Sequence, residues 1–315
     1  MQKIAFVGMG SIGTRHLNNV VRYLERNCQS YTIDLYRSGN RPLNPEIRQK
    51  ISREILLADA AAIQETYDAV WITNPTSAHY ETIRRFAKAA KAMFIEKPVF
   101  DTPDVDLGAL NLKPDGIYYV ACPLRYHPVI EYVKEHIPLW EVYAARAISS
   151  SYLPDWRPGT DYRTCYSARR DMGGGVDIDL IHEWDYLVHL FGPMRSGYAI
   201  RDQISNLELD SCDIAVYVAR ADHTVVELHL DYFGRKSIRQ LQLFLPDETI
   251  ECDILNGTIE FCKTGKQISV NCERDGYQRK EIEHFFDIMA GRCGNDSTIS
   301  DALRALRYAR SEFPR

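Results

Sequence analysis

The chain has 315 residues, 45% of them hydrophobic and 26% charged, which is ordinary for a globular protein and leaves room for two domains. The formal net charge of −5 offers no basic surface, so we expect no nucleic-acid partner. No apolar run is long enough to span a membrane and no leader-like segment opens the sequence, so we expect no membrane partner and a cytoplasmic location.

The eight cysteines are scattered, and no C-x-x-C pair occurs. Zinc sites usually show tight Cys or Cys/His spacing. We therefore expect free thiols and no metal.

The most informative stretch lies at the N-terminus, where a short apolar run is followed by glycines at G-x-G-x-x-G spacing: Gly8, Gly10 and Gly13. In a strand–turn–helix setting Gly8 makes the tight turn, Gly10 lets the backbone approach a pyrophosphate, and Gly13 lets helix and strand pack closely. The first N–H groups of the helix, at Ser11 and Ile12, would hold the diphosphate. A plain turn between a strand and a helix is the alternative.

The second strand, residues 32–36, ends in Arg37 and Ser38 rather than in an acid. Sites that prefer NAD usually place Asp or Glu there, whereas a guanidinium and a hydroxyl suit the 2′-phosphate of NADP. Asp34 is the only acid nearby, and it lies inside the strand. The sequence therefore favours NADP over NAD, unless Arg37 is a solvated loop charge.

Short apolar runs alternate with helical patterns through the first 122 residues; we expect strands at 4–7, 32–36, 53–56, 69–73, 93–95 and 118–121, and helices at 12–26, 59–65 and 77–91, the last capped by Ser77. This alternation predicts an α/β domain over residues 1–122, a Rossmann-type doubly wound parallel sheet. Ligands of such sheets bind outside the carboxyl ends of the strands. Gly8, Arg37, Asn74 and Lys97 all stand at those ends.

Three motifs together resemble the glucose-fructose oxidoreductase / inositol dehydrogenase (Gfo/Idh/MocA) family: residues 8–13, Asn74-Pro75-Thr76-Ser77-Ala78-His79, and Glu96-Lys97-Pro98. Members are two-domain NAD(P)-dependent oxidoreductases that act mostly on sugars, cyclitols and their derivatives. The resemblance implies that Lys97 is the catalytic lysine. It also implies cofactor contacts at Asn74, Pro75, Ser77, His79, Glu96 and Lys97.

Arg125 follows the sixth strand, in a segment that resembles the family's crossover out of the Rossmann domain. By itself the segment is only a helix start marked by Pro128. Arg125 becomes a candidate cofactor or substrate contact through the resemblance alone.

From Trp140 on, strand-like runs follow one another without helices, at 140–153, 211–220, 224–233, 237–245, 249–253 and 258–262. This pattern predicts an α+β domain with an open antiparallel sheet over residues 123–315. The family's second domain is such a sheet, whose outer face often mediates oligomer contacts, so we expect a homo-oligomer, a dimer or tetramer. Residues 276–292 and 300–312 predict two helices with Phe285, Phe286, Leu303 and Leu306 in the core, and these helices are candidates to pack back on the first domain.

Gly173, Gly174 and Gly175 precede a helix expected to run to about Leu190, and a glycine run would leave its N-terminus open to a ligand. Asp179 and His182 are i,i+3 neighbours on one face of that helix. The segment resembles the family's G-G-G…D…H segment, although many members separate the Asp and His by four residues rather than three. Some members of the polysaccharide-cluster type carry a similar D-x-x-H-E pattern, and the chain resembles that type. Glu183 is the alternative occupant of the histidine position.

The resemblance implies that Asp179 and His182 join Lys97 around the reacting carbon. We expect His182 to act as general acid/base, Lys97 as electrostatic partner and proton relay, and Asp179 as orienter of the substrate. A structural histidine is the alternative for His182.

Residues 153–163 form a loop rich in Arg and aromatic residues, with candidate substrate contacts at Trp156, Arg157, Tyr162 and Arg163. Arginine binds carboxylate or phosphate in bidentate fashion, and aromatic faces suit sugar rings. An acidic sugar, a sugar phosphate or a nucleotide-sugar would fit this loop. The alternative is a surface loop held by local salt bridges.

The sequence thus predicts an oxidoreductase that transfers a hydride between nicotinamide C4 and a carbinol or keto carbon of a sugar derivative. Two other functions stay open: a non-catalytic dinucleotide-binding regulator, and a redox-neutral enzyme with tightly held NAD.

Overall fold

The computed structural model describes residues 1–39, 41–58 and 63–314, without the side chain of Arg274. Two compact units emerge. The first combines Met1–Ala121 with Gln278–Leu303, and the second combines Cys122–Tyr277 with the segment from Arg304 on. The sequence places the division after residue 122.

The first unit is built on a six-stranded sheet of β1 (Gln2–Val7), β2 (Tyr31–Arg37), β3 (Arg53–Leu56), β4 (Tyr67–Ile72), β5 (Ala90–Ile95) and β6 (Ile117–Val120). All neighbouring strands are parallel, in the order β3-β2-β1-β4-β5-β6. This confirms the predicted doubly wound sheet. The strand order reverses between β1 and β4, which is where such sheets bind dinucleotides.

The described residues form α-helices at α1 (Ser11–Arg26), α2 (Pro45–Arg48), α3 (His79–Phe86), α4 (Pro128–His136), α5 (Val176–Asp179), α6 (His182–Phe191), α7 (Arg274–Met289) and α8 (Ile299–Ala309). α1 buries Leu17, Val20, Val21 and Leu24, which recur at helical spacing. The short helix predicted at 59–65 falls largely on residues 59–62, which lie outside the described residues.

The helix predicted at 77–91 is shorter than expected. Residues Thr76–Ala78 form a single 3₁₀ turn, α3 begins at His79 without a side-chain cap, and Ser77 is exposed. The alanine-rich segment after Phe86 does not continue the helix, because Ala90 and Ala92 pair with β4. Strand pairing overrides the helix propensity of alanine there.

The second unit contains an eight-stranded sheet of β7 (Ala144–Tyr152), β8 (Ser196–Asp202), β9 (Ile214–Arg220), β10 (Val225–Asp231), β11 (Phe233–Phe244), β12 (Thr249–Asp253), β13 (Thr258–Phe261) and β14 (Lys266–Ser269). Its order is β14-β13-β12-β11-β7-β10-β9-β8. The sheet is mixed rather than purely antiparallel, because β7 and β10 pair in parallel. The long connection between them, from 153 to 224, makes a parallel pair possible.

The sequence missed β8 and β14, which are the two edge strands of this sheet. Edge strands carry a weaker hydrophobic pattern because less of their surface is buried. Trp140 was expected in a strand but is 75% exposed in the 3₁₀ turn Leu139–Glu141.

The expected single helix after the glycine run is two helices. α5 ends at Asp179 and α6 begins at His182, so Leu180 and Ile181 interrupt the regular helix. Asp179 and His182 therefore flank a break instead of sharing one continuous helical face.

The C-terminal helices supply core aromatic residues, as predicted. Phe285 packs edge-to-face on Trp71 and Phe94, and Phe286 stacks on Tyr23, all within the first unit. Leu303 and Leu306 are buried as well.

Within the part of the chain that the structure describes, no helix is long and apolar enough to cross a membrane. All eight cysteines are free thiols.

Candidate functional site

Each glycine of the N-terminal turn has a different environment. Gly8 has φ +90°, and a Cβ there would lie 2.7 Å from the Asn74 backbone nitrogen. A Cβ on Gly13 would lie 2.7 Å from Thr73 Oγ1, whereas one on Gly10 would meet nothing within 4 Å. Gly8 and Gly13 thus permit close packing against the end of β4, and Gly10 leaves its surface accessible.

The N-terminus of α1 fits an anion. Gly10 is the N-cap residue, no side chain caps the helix, and its first turn contains no acidic residue. Unpaired N–H groups and the positive end of the helix dipole favour a phosphate at this position. Gly10, Ser11 and Ile12 therefore suit the pyrophosphate of a dinucleotide.

His79 contacts the segments that follow β4 and β5. Its ring is 1% exposed, with Nε2 3.0 Å from the Asn74 carbonyl oxygen and Nδ1 3.1 Å from that of Pro98. Burial lowers the pKa of His79, while its contacts with backbone carbonyl oxygens act in the opposite direction. The sequence predicts a cofactor contact at His79. In the structure its ring lies between the Asn74 turn and the Lys97-Pro98 turn and contacts a carbonyl oxygen of each.

The Asn74 turn presents its other residues differently. Pro75 and Ser77 are exposed, and the Asn74 amide nitrogen donates to Thr82 Oγ1 at 2.8 Å. This hydrogen bond fixes the asparagine beside Gly8.

Glu96 is buried directly before Lys97. One of its carboxylate oxygens pairs with His16 Nε2, and the other accepts the Lys97 backbone N–H at 3.1 Å. Burial raises the pKa of Glu96. This effect is outweighed by the hydrogen bond and charge of His16 and by the charge of Lys97, so the pKa lies below its usual range. Glu96 thereby ties the lysine turn to α1.

Arg37 does not offer a free guanidinium at the end of β2. It donates to Glu54 Oε1 at 2.8 Å and also to the Arg41 carbonyl. Glu54 comes from β3, so the acid that the sequence did not show at the tip of β2 is supplied by the neighbouring strand. Asp34 is buried inside β2, as expected, and pairs with Arg53.

Arg125 is 8% exposed and binds Asp185 through both Nε and Nη2, at 2.9 and 2.7 Å. A bidentate pair of this kind fixes the 3₁₀ turn Pro123–Tyr126 to α6. The structure thus gives the predicted cofactor contact a role within the second unit.

The glycines before α5 do not leave its N-terminus open, contrary to expectation. A Cβ on Gly174 would collide with the Tyr166 carbonyl, and the Val176 N–H donates to Cys212 O at 2.9 Å. The glycine run instead permits close packing of the backbone on residues 166–169.

Asp179 and His182 are both half-buried beside the break between α5 and α6. Tyr232, which the sequence did not single out, donates its hydroxyl to Asp179 Oδ2 at 2.5 Å. Tyr232 is fully buried, and burial together with the Asp179 charge and hydrogen bond raises its pKa well above the usual range. The hydroxyl therefore stays a donor.

Glu183, the predicted alternative to His182, lies in the interior of the second unit. Its side chain is 0% exposed and forms an ion pair with Arg239 at 2.8 Å. A carboxylate held in this way is part of the core. Asp177 is likewise structural, since it is 0% exposed and pairs with Arg201 and Arg310.

The loop of residues 153–163 is partly held by its own ion pairs. Arg163 pairs with Asp161 at 2.9 Å and with Glu208 at 3.0 Å, and the Tyr162 hydroxyl accepts the Glu208 backbone N–H. These contacts favour the local salt-bridge interpretation for Arg163. Arg157 is exposed.

Trp156 is the other aromatic residue predicted to bind substrate, and it is 36% exposed. Its indole N–H donates to Ser151 Oγ at 2.9 Å, and its ring meets that of Tyr232 edge-to-face at 5.3 Å. The loop thus reaches the residue that holds Asp179.

Sequence reasoning missed His16, Glu54 and Tyr232. Each is joined to a predicted residue across a long stretch of chain, and none stands in a recognised motif. Only the pattern of His16 on the buried side of α1, a polar residue among apolar ones, could have pointed to a buried partner.

Residues 2–105 match the profile of a family described as "Oxidoreductase family, NAD-binding Rossmann fold". UDP-N-acetylglucosamine 3-dehydrogenase of Acidithiobacillus ferrooxidans is 24% identical over 263 residues, covering 81% of this chain and 77% of that protein.

Two solved structures share the fold. The WlbA dehydrogenase from Bordetella pertussis, in complex with NADH and UDP-GlcNAcA, has a TM-score of 0.75 at 17% identity, covering 98% of this chain and 96% of that one. Levoglucosan dehydrogenase, in complex with NADH and L-sorbose, has a TM-score of 0.83 at 14% identity, covering 99% of this chain and 95% of that one. The chain is thus similar to the Gfo/Idh/MocA family of NAD-binding oxidoreductases, whose profile residues 2–105 match.

Proposed function

We propose that the protein is an NAD(P)-dependent dehydrogenase or reductase that acts on a carbinol or keto carbon of a sugar derivative. The observation that carries this proposal is the edge of the first sheet where β1, β4 and β5 end. The uncapped start of α1, the Asn74 turn and Lys97 occur there, fastened together by His79 and Glu96. A dinucleotide on α1 would bring its nicotinamide, which supplies the hydride acceptor or donor, to this edge.

Three residues receive roles in the reaction. Lys97 holds the reacting oxygen and lowers the cost of its negative charge, because an ammonium group stabilises alkoxide character. His182 takes or returns the hydroxyl proton, which an imidazole can do near neutral pH. Asp179 orients the substrate as a hydrogen-bond acceptor. These assignments rest on the family motifs and on the chemistry of the residues.

For the substrate we propose a nucleotide-linked or otherwise acidic sugar. The relative from A. ferrooxidans is named for UDP-N-acetylglucosamine, and the WlbA structure contains UDP-GlcNAcA. Exposed Arg157 and half-exposed Trp156 support an anionic, ring-shaped ligand.

The preference between NAD and NADP depends on Glu54. The sequence favours NADP because of Arg37, but the Arg37–Glu54 pair occupies the guanidinium and brings a carboxylate that would repel a 2′-phosphate. We therefore propose that Glu54→Gln raises the affinity for NADPH relative to NADH. Fluorescence titration of both cofactors measures the ratio, with Glu46→Gln, an exposed acid outside this pair, as control.

The function is tested by titrating NADH and NADPH against the protein and then screening UDP-linked and acidic sugars for turnover. Turnover with a UDP-sugar supports the proposal. Tight cofactor binding with no turnover of any sugar would point to a regulatory protein. Cofactor that survives purification, combined with a reaction that leaves it unchanged overall, would point to a redox-neutral enzyme.

The cytoplasmic location stays a prediction.

We also propose that the protein forms a homo-oligomer through the open face of the second sheet. Tyr198 pairs with Val218 and Ile200 with Val216, so these apolar residues lie side by side on one face. Tyr198 is 84% exposed and Ile200 70%. A patch of this kind suits a second copy of the chain.

A further inference from the structure

Tyr232 occupies a corner of the second unit. It is the single residue between β10 and β11, which pair with β7 on its two sides. At this corner the chain passes the end of β7, because Asp231 pairs with Ser150 and Phe233 with Tyr152. Tyr232 therefore stands where the loop that begins at Leu153 leaves the sheet.

The corner is fixed by several hydrogen bonds. The Tyr232 N–H donates to Asp213 O at 3.0 Å, and its carbonyl accepts the Leu153 N–H at 2.9 Å. Asp231 Oδ1 accepts the N–H groups of Phe233 and Gly234 at 3.0 and 2.8 Å. A side chain mounted on such a backbone has little freedom to move.

From this corner the Tyr232 side chain extends to Asp179. The hydroxyl donates to Asp179 Oδ2 at 2.5 Å, and the ring is fully buried. On its other side the ring is met edge-to-face by Trp156, from the 153–163 loop, at 5.3 Å. One buried tyrosine thus contacts both a residue of the proposed reaction and a residue of the proposed substrate loop.

We propose that Tyr232 is a positioning residue of the oxidoreductase site, which holds the Asp179 carboxylate ionised and oriented and links it to the 153–163 loop through Trp156. This inference rests on the proposed function, in which Asp179 orients the substrate. A donor that remains protonated stabilises the ionised carboxylate and fixes the direction of its second oxygen. Loop residues that shift against the Tyr232 ring would change the position of that carboxylate.

Other charged groups also act on Asp179 and its neighbours. The half-buried Tyr166 hydroxyl has its pKa raised by burial and by the charges of Asp179 and Asp177, while Arg310 lowers it. Asp177 is neutralised by Arg201 and Arg310, and His182 stands across the helix break. The test therefore changes only the Tyr232 hydroxyl.

The variant Tyr232→Phe removes that hydroxyl and keeps the ring contact with Trp156. We expect kcat/KM to fall about ten- to a hundredfold, the usual effect of losing a hydrogen bond to a charged group. The acid limb of the pH profile should move to higher pH, because a carboxylate that loses a donor has a higher pKa. The dissociation constant for NADH should stay unchanged.

Tyr217→Phe is the matched control. Tyr217 is also fully buried in the second unit, and its hydroxyl donates to Ala309 O at 2.8 Å instead of to Asp179. This variant should leave the pH profile where it is in the wild type, whatever it does to stability. The inference is overturned if Tyr217→Phe shifts the acid limb as much as Tyr232→Phe does, or if Tyr232→Phe retains wild-type kcat/KM and pH profile.

A second measurement does not need turnover. In protein with ¹³C-labelled aspartate, the Asp179 carboxyl resonance is assigned with Asp179→Asn and titrated in wild type and in Tyr232→Phe. We expect the titration midpoint to rise in the variant, and an unchanged midpoint would overturn the inference. A raised midpoint in a protein that turns over no sugar would support the positioning of Asp179 while contradicting the proposed function.

A further variant tests the contact between Tyr232 and the 153–163 loop. Trp156→Ala removes the ring that contacts Tyr232, and we expect it to shift the Asp179 titration in the same direction and to raise KM. If Trp156→Ala raises KM but leaves the Asp179 midpoint at the wild-type value, the loop binds substrate without acting through Tyr232, and this part of the inference fails.

Discussion

A buried carboxylate, that of Glu96, holds the turn that contains Lys97. Glu96 accepts the Lys97 backbone N–H and pairs with His16 from α1, so the turn that presents the lysine is fastened to the helix that starts at Gly10. His16 and Glu96 are both buried. Placement of the lysine and the start of α1 therefore depend on one polar contact.

The first prediction concerns Lys97 itself. Lys97→Met should lower kcat by about 10²- to 10⁴-fold, the usual contribution of a proton-transfer or charge-stabilising group, and leave the dissociation constant for NADH intact. Lys91→Met is the control, since Lys91 is an exposed lysine of β5, the strand that ends shortly before Lys97, and it pairs with Asp68 at 2.8 Å. Steady-state kinetics and cofactor titration check both, and a Lys97→Met protein with most of its kcat would overturn the role of the lysine.

The second prediction concerns His16 and the pH dependence of stability. The pKa of Glu96 is held below its usual range, so this carboxylate contributes stability above the ordinary glutamate pKa and loses it as pH falls through the lowered value. His16→Phe should therefore lower the free energy of unfolding by about 1–3 kcal/mol at pH 7. The loss should be smaller at an acid pH below this lowered pKa, where the carboxyl group is protonated with or without His16.

Urea unfolding at both pH values measures this difference. The double variant His16→Phe/Glu96→Gln should recover part of the loss at pH 7, because it no longer buries an unpaired charge. The His16 ring also meets the Phe94 ring edge-to-face at 4.9 Å, and an equal loss at both pH values would show that His16 acts only through this packing.

At the scale of elements, the three glycines of the turn between β1 and α1 have two kinds of surroundings. Gly8 and Gly13 face the end of β4 closely, whereas Gly10 faces open space. The same G-x-G-x-x-G spacing thus contains two glycines that the fold requires and one that only a ligand would require.

The third prediction uses this contrast. Gly8→Ala should lower the free energy of unfolding by about 1–3 kcal/mol, because φ is +90° and the new Cβ would crowd the Asn74 backbone. Gly10→Ala should keep wild-type thermal stability, since φ is −79° and no protein atom lies within 4 Å of the added Cβ. It should weaken NADH binding by about tenfold or more, which corresponds to about 1.4 kcal/mol.

Thermal unfolding and NADH titration of the two variants provide the check. If Gly10→Ala binds NADH like the wild type, the pyrophosphate does not lie at this turn.

The second sheet shows what element pairing adds to sequence pattern. Its central strands were predicted from their apolar runs, but the parallel pairing of β7 with β10 and the edge strands β8 and β14 were not. Whether two strands pair in parallel depends on the path of the chain that connects them. An edge strand has a neighbouring strand on one side only, so its sequence pattern is less constrained than that of a central strand.

At the scale of the whole molecule, one face of the second sheet is buried and the other is exposed. Alternate residues such as Tyr217 and Leu228 are buried, whereas Tyr198, Ile200 and Val218 are exposed on the opposite face. Monomeric proteins rarely expose a continuous apolar patch of this kind. The exposed face is therefore the expected contact between copies.

The fourth prediction follows from this face. Tyr198→Glu should shift the protein towards the monomer, because a carboxylate buried in an apolar interface would lose its hydration. Size-exclusion chromatography with light scattering measures the mass. Trp140→Glu, which changes an exposed aromatic residue outside the sheet, is the control and should leave the mass at the wild-type value. A wild type that is itself monomeric would contradict the proposed oligomer.

The sequence by itself determined the properties that depend on neighbours along the chain. The alternation of strands and helices, the glycine spacing at residues 8–13, and the short motifs around Asn74 and Lys97 are local, and they were enough for the fold class and the family resemblance. The local hydrophobic period and the turn residues carry that information.

Only the tertiary structure decided which charged side chains are available to a ligand. Arg37 is paired by Glu54 from 17 residues away, Glu183 is buried against Arg239, and Asp179 receives its donor from Tyr232, 53 residues further on. Burial and ion pairing depend on contacts between residues distant in the sequence, and the free energy of a charged group depends on those contacts more than on its neighbours in the chain.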